Sequence, residues 1–327
     1  MMRKISVAFL FLAVSLWGQN SVLLVLHKGG SSLGFYSPAG KLLTSVPVGQ
    51  HPHEMALSAD GRLVYTTDNG TMRIEEVGSG GNTISIVDVA ARKKIGEIAL
   101  GRYRRPHGIA LNRRTGRLYV DTELPDALLE IDPAQRKVVK TWDTQGKTSH
   151  MVTLGLDGRR AYVSNSTSND VSSILLSSGE RKLIPAGERP EGSVLARSGD
   201  ELYVCNREAQ KISVIGTAKQ AVVAEIRTGK GPVRIALTPD GKLLVYALIH
   251  DEAVEIADPA ARKVLANVKL GGRPVSLSIS PDGQRAFASA EDQDTVYVVS
   301  IPDRKIVQSF KTAPGAGPDP VLEIPAR

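Results

Sequence analysis

Short apolar runs alternate with polar turn residues along most of the chain, and the alternation repeats. Six segments begin alike: HPHEMALSADGRLVYTT from His51, RPHGIALNRRTGRLYVDT from Arg105, TSHMVTLGLDGRRAYVSN from Thr148, RPEGSVLARSGDELYVCN from Arg189, GPVRIALTPDGKLLVYAL from Gly231 and RPVSLSISPDGQRAFASA from Arg273. Each predicts an apolar strand, a tight turn around Asp-Gly or its equivalent, and a second strand. A third strand follows (TISIVDV, ALLEIDP, VSSILLS, KISVIGT, AVEIADP, TVYVVSI), then a turn often carrying Arg-Lys. A fourth strand closes near a glycine (KIGEIALG, VVAEIRTG, VLANVKLG). Four short strands joined by turns form an antiparallel meander.

Aligned on the first strand, the repeats place His53, His107, His150, Glu191, Val233 and Val275 in one column, at steps of 54, 43, 41, 42 and 42 residues. A period near forty with four strands per unit predicts β-propeller blades. A seventh blade is split: residues 21–49 supply three strands and GPDPVLEI, from Gly317 to Ile324, supplies the missing first one. Pairing the two ends of the chain closes the ring and removes an exposed sheet edge. The expected fold is an all-β, seven-bladed propeller forming a single domain over residues 19–327.

The segments YVSN (Tyr162 to Asn165) and YVCN (Tyr203 to Asn206), each following a strand and turn, resemble the YVTN-repeat, YncE-like propellers. The likeness covers nearly all of the mature chain. It implies the propeller fold and little about activity, because related propellers serve as binding proteins, lactonases, lyases and electron-transfer subunits. A site must be argued from its own residues.

First strands of a propeller line the central channel, and the ends of second strands lie at the same face. The first-strand column, completed by Pro320 on the split blade, sets three imidazoles and a carboxylate on four consecutive blades and apolar residues on the other three. Three His and one acid form a sensible mononuclear set for zinc, copper, iron or manganese, so His53, His107, His150 and Glu191 are the expected ligands of a divalent metal ion. The alternatives are a metal-free polar ligand site, or imidazoles that simply pack at the channel mouth. A second column, after the second-strand Tyr, reads Asp68, Thr122, Asn165, Asn206, Leu248 and Ala290, polar on the same four blades. Together the columns predict a pocket with one polar and one apolar wall, as a small-molecule site requires. Glu123, Asp68 and Arg207 are the candidates for acid–base work or for holding a substrate, with Arg234 a further candidate for a substrate carboxylate. Blade one carries a marked insertion, DNGTMRIEEVGSGGN (Asp68 to Asn82), whose Gly-rich end suggests a segment able to cover the mouth; a tolerated surface insertion is the plainer reading.

Composition narrows the field. The single Cys205 excludes an internal disulfide or a cysteine-based zinc site and is expected to be buried. Arg3 and Lys4 precede an uncharged apolar run from Ile5 to Trp17, then Gly18-Gln19-Asn20. This predicts a signal peptide over residues 1–18 and a secreted or periplasmic protein, since the run is too short for a stable membrane span. The formal charge of +7 resides partly there and largely in repeated turns such as Arg92-Lys93-Lys94 and Arg262-Lys263; the tightest cluster is Arg102, Arg104 and Arg105. Aromatic residues are 5% of the chain and do not interleave with the basic ones, so no nucleic-acid partner is expected. The reading is a monomeric propeller acting, with its metal, as a hydrolase (lactonase-like) or lyase on a small oxygen-bearing substrate. The alternatives are a non-catalytic ligand- or protein-binding propeller of the cell envelope, or an accessory subunit resembling the amine-dehydrogenase propellers.

Overall fold

The second strands are apolar on both faces because each is sandwiched between two neighbouring sheets. In the strand Glu201–Asn206, Tyr203 and Cys205 pack toward Ile235 and Tyr246, while Leu202 and Val204 pack toward Tyr162 and Ile184. The two-residue period of a strand thus serves two interfaces at once. The described residues, 21–326 of a computed structural model, contain seven such apolar clusters, one at each interface between adjacent sheets. The expected signal peptide lies outside the described residues.

The sheets are seven, each of four antiparallel strands. Blade one runs from Pro52–Leu57 to Lys93–Ala99, and blades two to six follow in chain order, ending at Lys305–Lys311. The seventh blade is the split one: Pro318–Pro325 pairs with Ser21–His27, which continues through Ser32–Tyr36 and Leu42–Pro47. Arg285 Nη2 of blade six donates to both carboxylate oxygens of Glu323 on the closing strand, each at 2.9 Å. Among the described residues no helix is long and apolar enough to cross a membrane.

Outer strands are half exposed and carry most of the basic turns. Arg105 departs from that pattern: it was grouped with the surface basics Arg102 and Arg104, yet it is buried at the channel face. Cys205 is fully buried, and burial raises its thiol pKa, so it packs as a small apolar residue.

His27, at the end of its strand in the split blade, is buried with Nδ1 2.9 Å from Ser32 Oγ and Nε2 2.9 Å from Tyr36 Oη. Burial lowers its pKa to about 4, against a partly offsetting effect of Asp294. The unfolded chain takes up this proton near pH 6.5, whereas the folded chain resists it. Stability from this group is therefore fully present above pH 6.5 and falls as the pH drops toward 4, by about 3 kcal/mol in all. Urea unfolding at pH 7 and pH 4.5 will show a smaller acid loss in His27→Asn than in the wild type; equal losses would refute the assignment.

Candidate functional site

Each first strand is bulged where it meets the channel. In blade one, Pro52 pairs with Asp68 and Met55 with Thr66, so His53 and Glu54 together face Thr67 alone. In blade two, His107 and Gly108 face Asp121, and in blade four Glu191 and Gly192 face Cys205. Blades three, five and six insert His150, Val233 and Val275 in the same way. A bulge bends its strand and re-aims a side chain, here into the channel. A proline directly precedes the ring residue in every blade but the third, where Ser149 stands. Lacking an N–H, proline starts a strand without leaving a donor unpaired. Gly108 is required by proximity: a Cβ there would lie 2.3 Å from Asp121 Oδ2.

The same geometry corrects the seventh ring member. Pro318 pairs with His27 and Val321 with Val25, leaving Asp319 and Pro320 opposite Leu26. Asp319, directly after its proline, is the counterpart of His53, and it lines the channel cavity where Pro320 was expected. The expected apolar wall is corrected with it. Val233, Val275 and Ile249 do line the cavity of about 520 Å³, but Lys28, Arg273, Glu291, Asp292 and Asp319 line it from the same three blades.

The three imidazoles and Glu191 converge, though not as four equivalent ligands. His53 Nε2 lies 2.7 Å from the Thr71 carbonyl, which can only accept, so this nitrogen carries the hydrogen. His53 Nδ1 then accepts from His107 Nε2, 2.8 Å away, which leaves a lone pair on His107 Nδ1. Burial, reinforced by nearby positive groups, holds the pKa of both rings well below the ordinary value, so both are neutral. His107 also lies against His150, with ring centroids 3.7 Å apart. His150 is set between two acids, with Nε2 3.5 Å from Glu191 Oε2 and Nδ1 3.8 Å from Glu123 Oε1. Burial would lower its pKa, but Glu123 and Glu191 outweigh that and raise it to about 9.

Glu191 is spent on cations. Arg207 Nη1 stands 3.3 Å from Oε1 and Arg234 Nη1 3.5 Å from Oε2, while Arg234 Nη2 reaches Glu54 Oε1 at 3.0 Å. Burial opposes ionisation of Glu191, yet His150, Arg207 and Arg234 hold its carboxyl well below the usual range. The residues whose ligand atoms group most closely are His107, Glu123 and His150, all within 4.8 Å of one another. Each of these residues has a buried atom without a hydrogen-bond partner: His107 Nδ1, His150 Nδ1 and Glu123 Oε2. The expected quartet is therefore redistributed. Glu123, expected as an acid–base group, joins two of the imidazoles, while His53 braces His107 and Glu191 braces His150.

The second column stays inside the blades. Asp68, a candidate for acid–base work, does not line the cavity; its carboxylate accepts from Gly49 N, Thr83 Oγ1 and Ser85 Oγ, all within 3.1 Å. Asn165 and Asn206 play corresponding parts, donating to Ser172 Oγ and Ser213 Oγ. These side chains tie neighbouring strands together. Arg207, one residue beyond the column, does reach the cavity.

The blade-one insertion crosses the mouth. Met72, Arg73, Ile74 and Glu75 line the cavity, Glu75 pairs with Arg189 at the start of blade four, and Arg105 Nη2 donates to Glu76 O at 2.5 Å. Arg105 Nη1 also stands 3.4 Å from Glu123 Oε2, linking the insertion to the acid beside the imidazoles. Sequence reasoning missed Arg105, Lys28, Glu54 and Asp319 as site residues. The Pro-x pattern before every ring position but one was the available signal for Asp319.

Comparison with known proteins agrees with this architecture. Residues 128–235 match the family described as YNCE-like beta-propeller. The uncharacterized protein YncE of Salmonella typhimurium is 30% identical over 141 residues, which are 42% of this chain and 40% of that protein. The match thus spans well under two thirds of that relative. A functionally unknown protein from Desulfotomaculum acetoxidans superposes with a TM-score of 0.78 at 14% identity, over 94% of this chain and 99% of that one. Hydrazine synthase from Kuenenia stuttgartiensis gives 0.74 at 20% identity, over 90% and 99%. At such identities the two structures speak for the fold alone.

Replacing Glu191 by Gln removes the charge shared by His150, Arg207 and Arg234 while keeping the shape. Stranding buried cations costs about 3–5 kcal/mol. Chemical denaturation will show a loss of that order in Glu191→Gln, and a loss under about 1 kcal/mol would refute the role of Glu191 as their shared counter-ion.

Proposed function

From this YncE-like seven-bladed propeller we infer an exported protein that holds one divalent metal ion at its channel mouth and acts there on a small oxygen-bearing substrate. The observation that carries the reading is the gathering of one ligand atom each from His107, Glu123 and His150 within 4.8 Å of one another, with no hydrogen bond to the buried His107 Nδ1. Leaving the lone pair of His107 Nδ1 unsatisfied is costly, and an ion would satisfy it while displacing the proton that Glu123 and Glu191 hold on His150. Two imidazoles and one carboxylate suit zinc, iron or manganese, and copper through its affinity for imidazole. His107, Glu123 and His150 would hold the ion once side-chain rotations brought their ligand atoms closer than the present 4.8 Å. When bound, the ion supplies Lewis acidity toward a substrate oxygen, the chemistry a hydrolase (lactonase-like) or lyase uses.

The chain's own residues then have distinct duties. His53 fixes the tautomer of His107, and Glu191 orients His150 through Nε2. Arg207 lines the cavity, and its guanidinium, paired with Glu191 at 3.3 Å and Glu208 at 3.6 Å, is a donor group suited to an anionic substrate oxygen. The insertion segment Met72 to Glu75 limits the access of water. The locking of Arg207 and Arg234 onto Glu191 favours a second reading, a non-catalytic binding propeller, which needs no metal.

Isothermal titration of the dialysed chain with Zn(II), Mn(II), Fe(II) and Cu(II) separates these readings. One equivalent of one of these ions is expected to bind; His107→Ala and Glu123→Gln should abolish it. His53→Ala should weaken it about 10–100-fold, as loss of a bracing residue does, and Asp68→Asn should leave it unchanged. No stoichiometric uptake, or uptake indifferent to His107→Ala, would overturn the metal reading in favour of the binding one.

Export is supported by Arg3 and Lys4 ahead of the apolar run Ile5 to Trp17. Expressed with its own N-terminus in a Gram-negative host, the protein should collect outside the cytoplasm with a new N-terminus near Gln19. Recovery with residues 1–18 intact would refute it.

A further inference from the structure

Next to His53 in the ring, on the adjoining split blade, lies a buried pair that the metal reading leaves unused. Asp319 occupies the bulge of the split blade, is 2% exposed and lines the cavity. Its Oδ2 stands 3.7 Å from Lys28 Nζ, and Lys28 in turn donates to Glu291 Oε2 at 3.1 Å. Asp319 Oδ1 is buried with no hydrogen-bond partner. Packing does not call for an acid here, since Val233 and Val275 fill the same ring position in blades five and six. A buried polar atom facing a cavity without a partner points to one brought by a ligand.

We propose that Asp319 reads a hydroxyl group on the ligand, which makes the cavity selective for hydroxylated carboxylates. The carboxylate end is served by Arg207, which lines the cavity from blade four, and by the metal that His107, Glu123 and His150 would hold. An ammonium group at Asp319 is disfavoured because the Lys28 ammonium already lies beside it. A hydroxyl both donates and accepts, so it matches Asp319 in either protonation state. That matters because burial pushes the pKa of Asp319 up against the opposing pull of Lys28. The proposal deepens the small-molecule reading above and rests on it, though not on the identity of the metal.

The test compares tartrate with succinate, four-carbon dicarboxylates that differ only in two hydroxyls, by calorimetry on zinc-loaded and metal-free chain. The wild type should bind tartrate about ten-fold or more tightly than succinate, the worth of a hydrogen bond to a buried acid. Asp319→Val should bring the two within about two-fold, and Asp319→Asn should keep most of the preference. Should the valine variant be unfolded by circular dichroism, Asp319→Ala carries the same comparison. A preference retained in full by the truncated variant, no preference in the wild type, or binding of neither acid would each overturn the proposal. Zinc stoichiometry on the same samples separates the two readings: failure of zinc uptake with the tartrate preference intact refutes the metal cluster and leaves Asp319 standing.

Discussion

Every feature of the channel face depends on one extra residue in each first strand. A regular strand would send successive side chains alternately toward the two neighbouring blades. The bulge breaks that alternation and aims one residue of each blade at the axis. In blades two and four the residue that follows is a glycine, and Gly108 could carry no side chain without striking Asp121. In blades one and five it is Glu54 or Arg234, and these two pair with each other at 3.0 Å. The ring of axis-facing side chains and the layer of charge beside it are two products of one distortion.

That distortion also explains which parts could be read beforehand. Strand alternation, Asp-Gly turns and the forty-residue period are local, and they revealed the blades, the split closure and the column of His53, His107 and His150. An unbroken two-residue period hides the bulge, so nothing in the pattern marks Glu54 as standing beside the ring. Asp319 was displaced by one position, to Pro320, for the same reason. Lys28 lies in a turn, and Arg105, inside the strand Arg104–Asn112, has a positive φ of 55° that breaks the strand's alternation, so periodicity predicts the direction of neither; only the folded chain brings Arg105 3.4 Å from Glu123. Asp68 erred the other way: it sits in a polar column, but that column ties strands together with hydrogen bonds rather than facing the cavity.

The charges at the site are arranged by sign. Glu123, His150 and Glu191 alternate acid, base and acid, and Arg105 and Arg207 stand at the two ends. Among buried side chains such a chain is tolerable only when each charge has an opposite neighbour. His53 and His107 remain neutral, so lone-pair donors and compensated charges sit side by side in one small volume. The insertion adds no strand to the sheet; its contribution is to roof this volume.

The split blade gives the site an uneven genealogy. His53, His107, Glu123 and His150 belong to three consecutive blades and arise from one continuous stretch of chain, whereas Lys28 and Asp319 come from opposite ends and meet only after the last strand docks beside the first. One half of the cavity is thus a local property of neighbouring blades, and the other half is a record of ring closure. Divergence in this architecture can proceed separately on the two halves, because a change at the seam leaves the early blades untouched and the reverse holds as well.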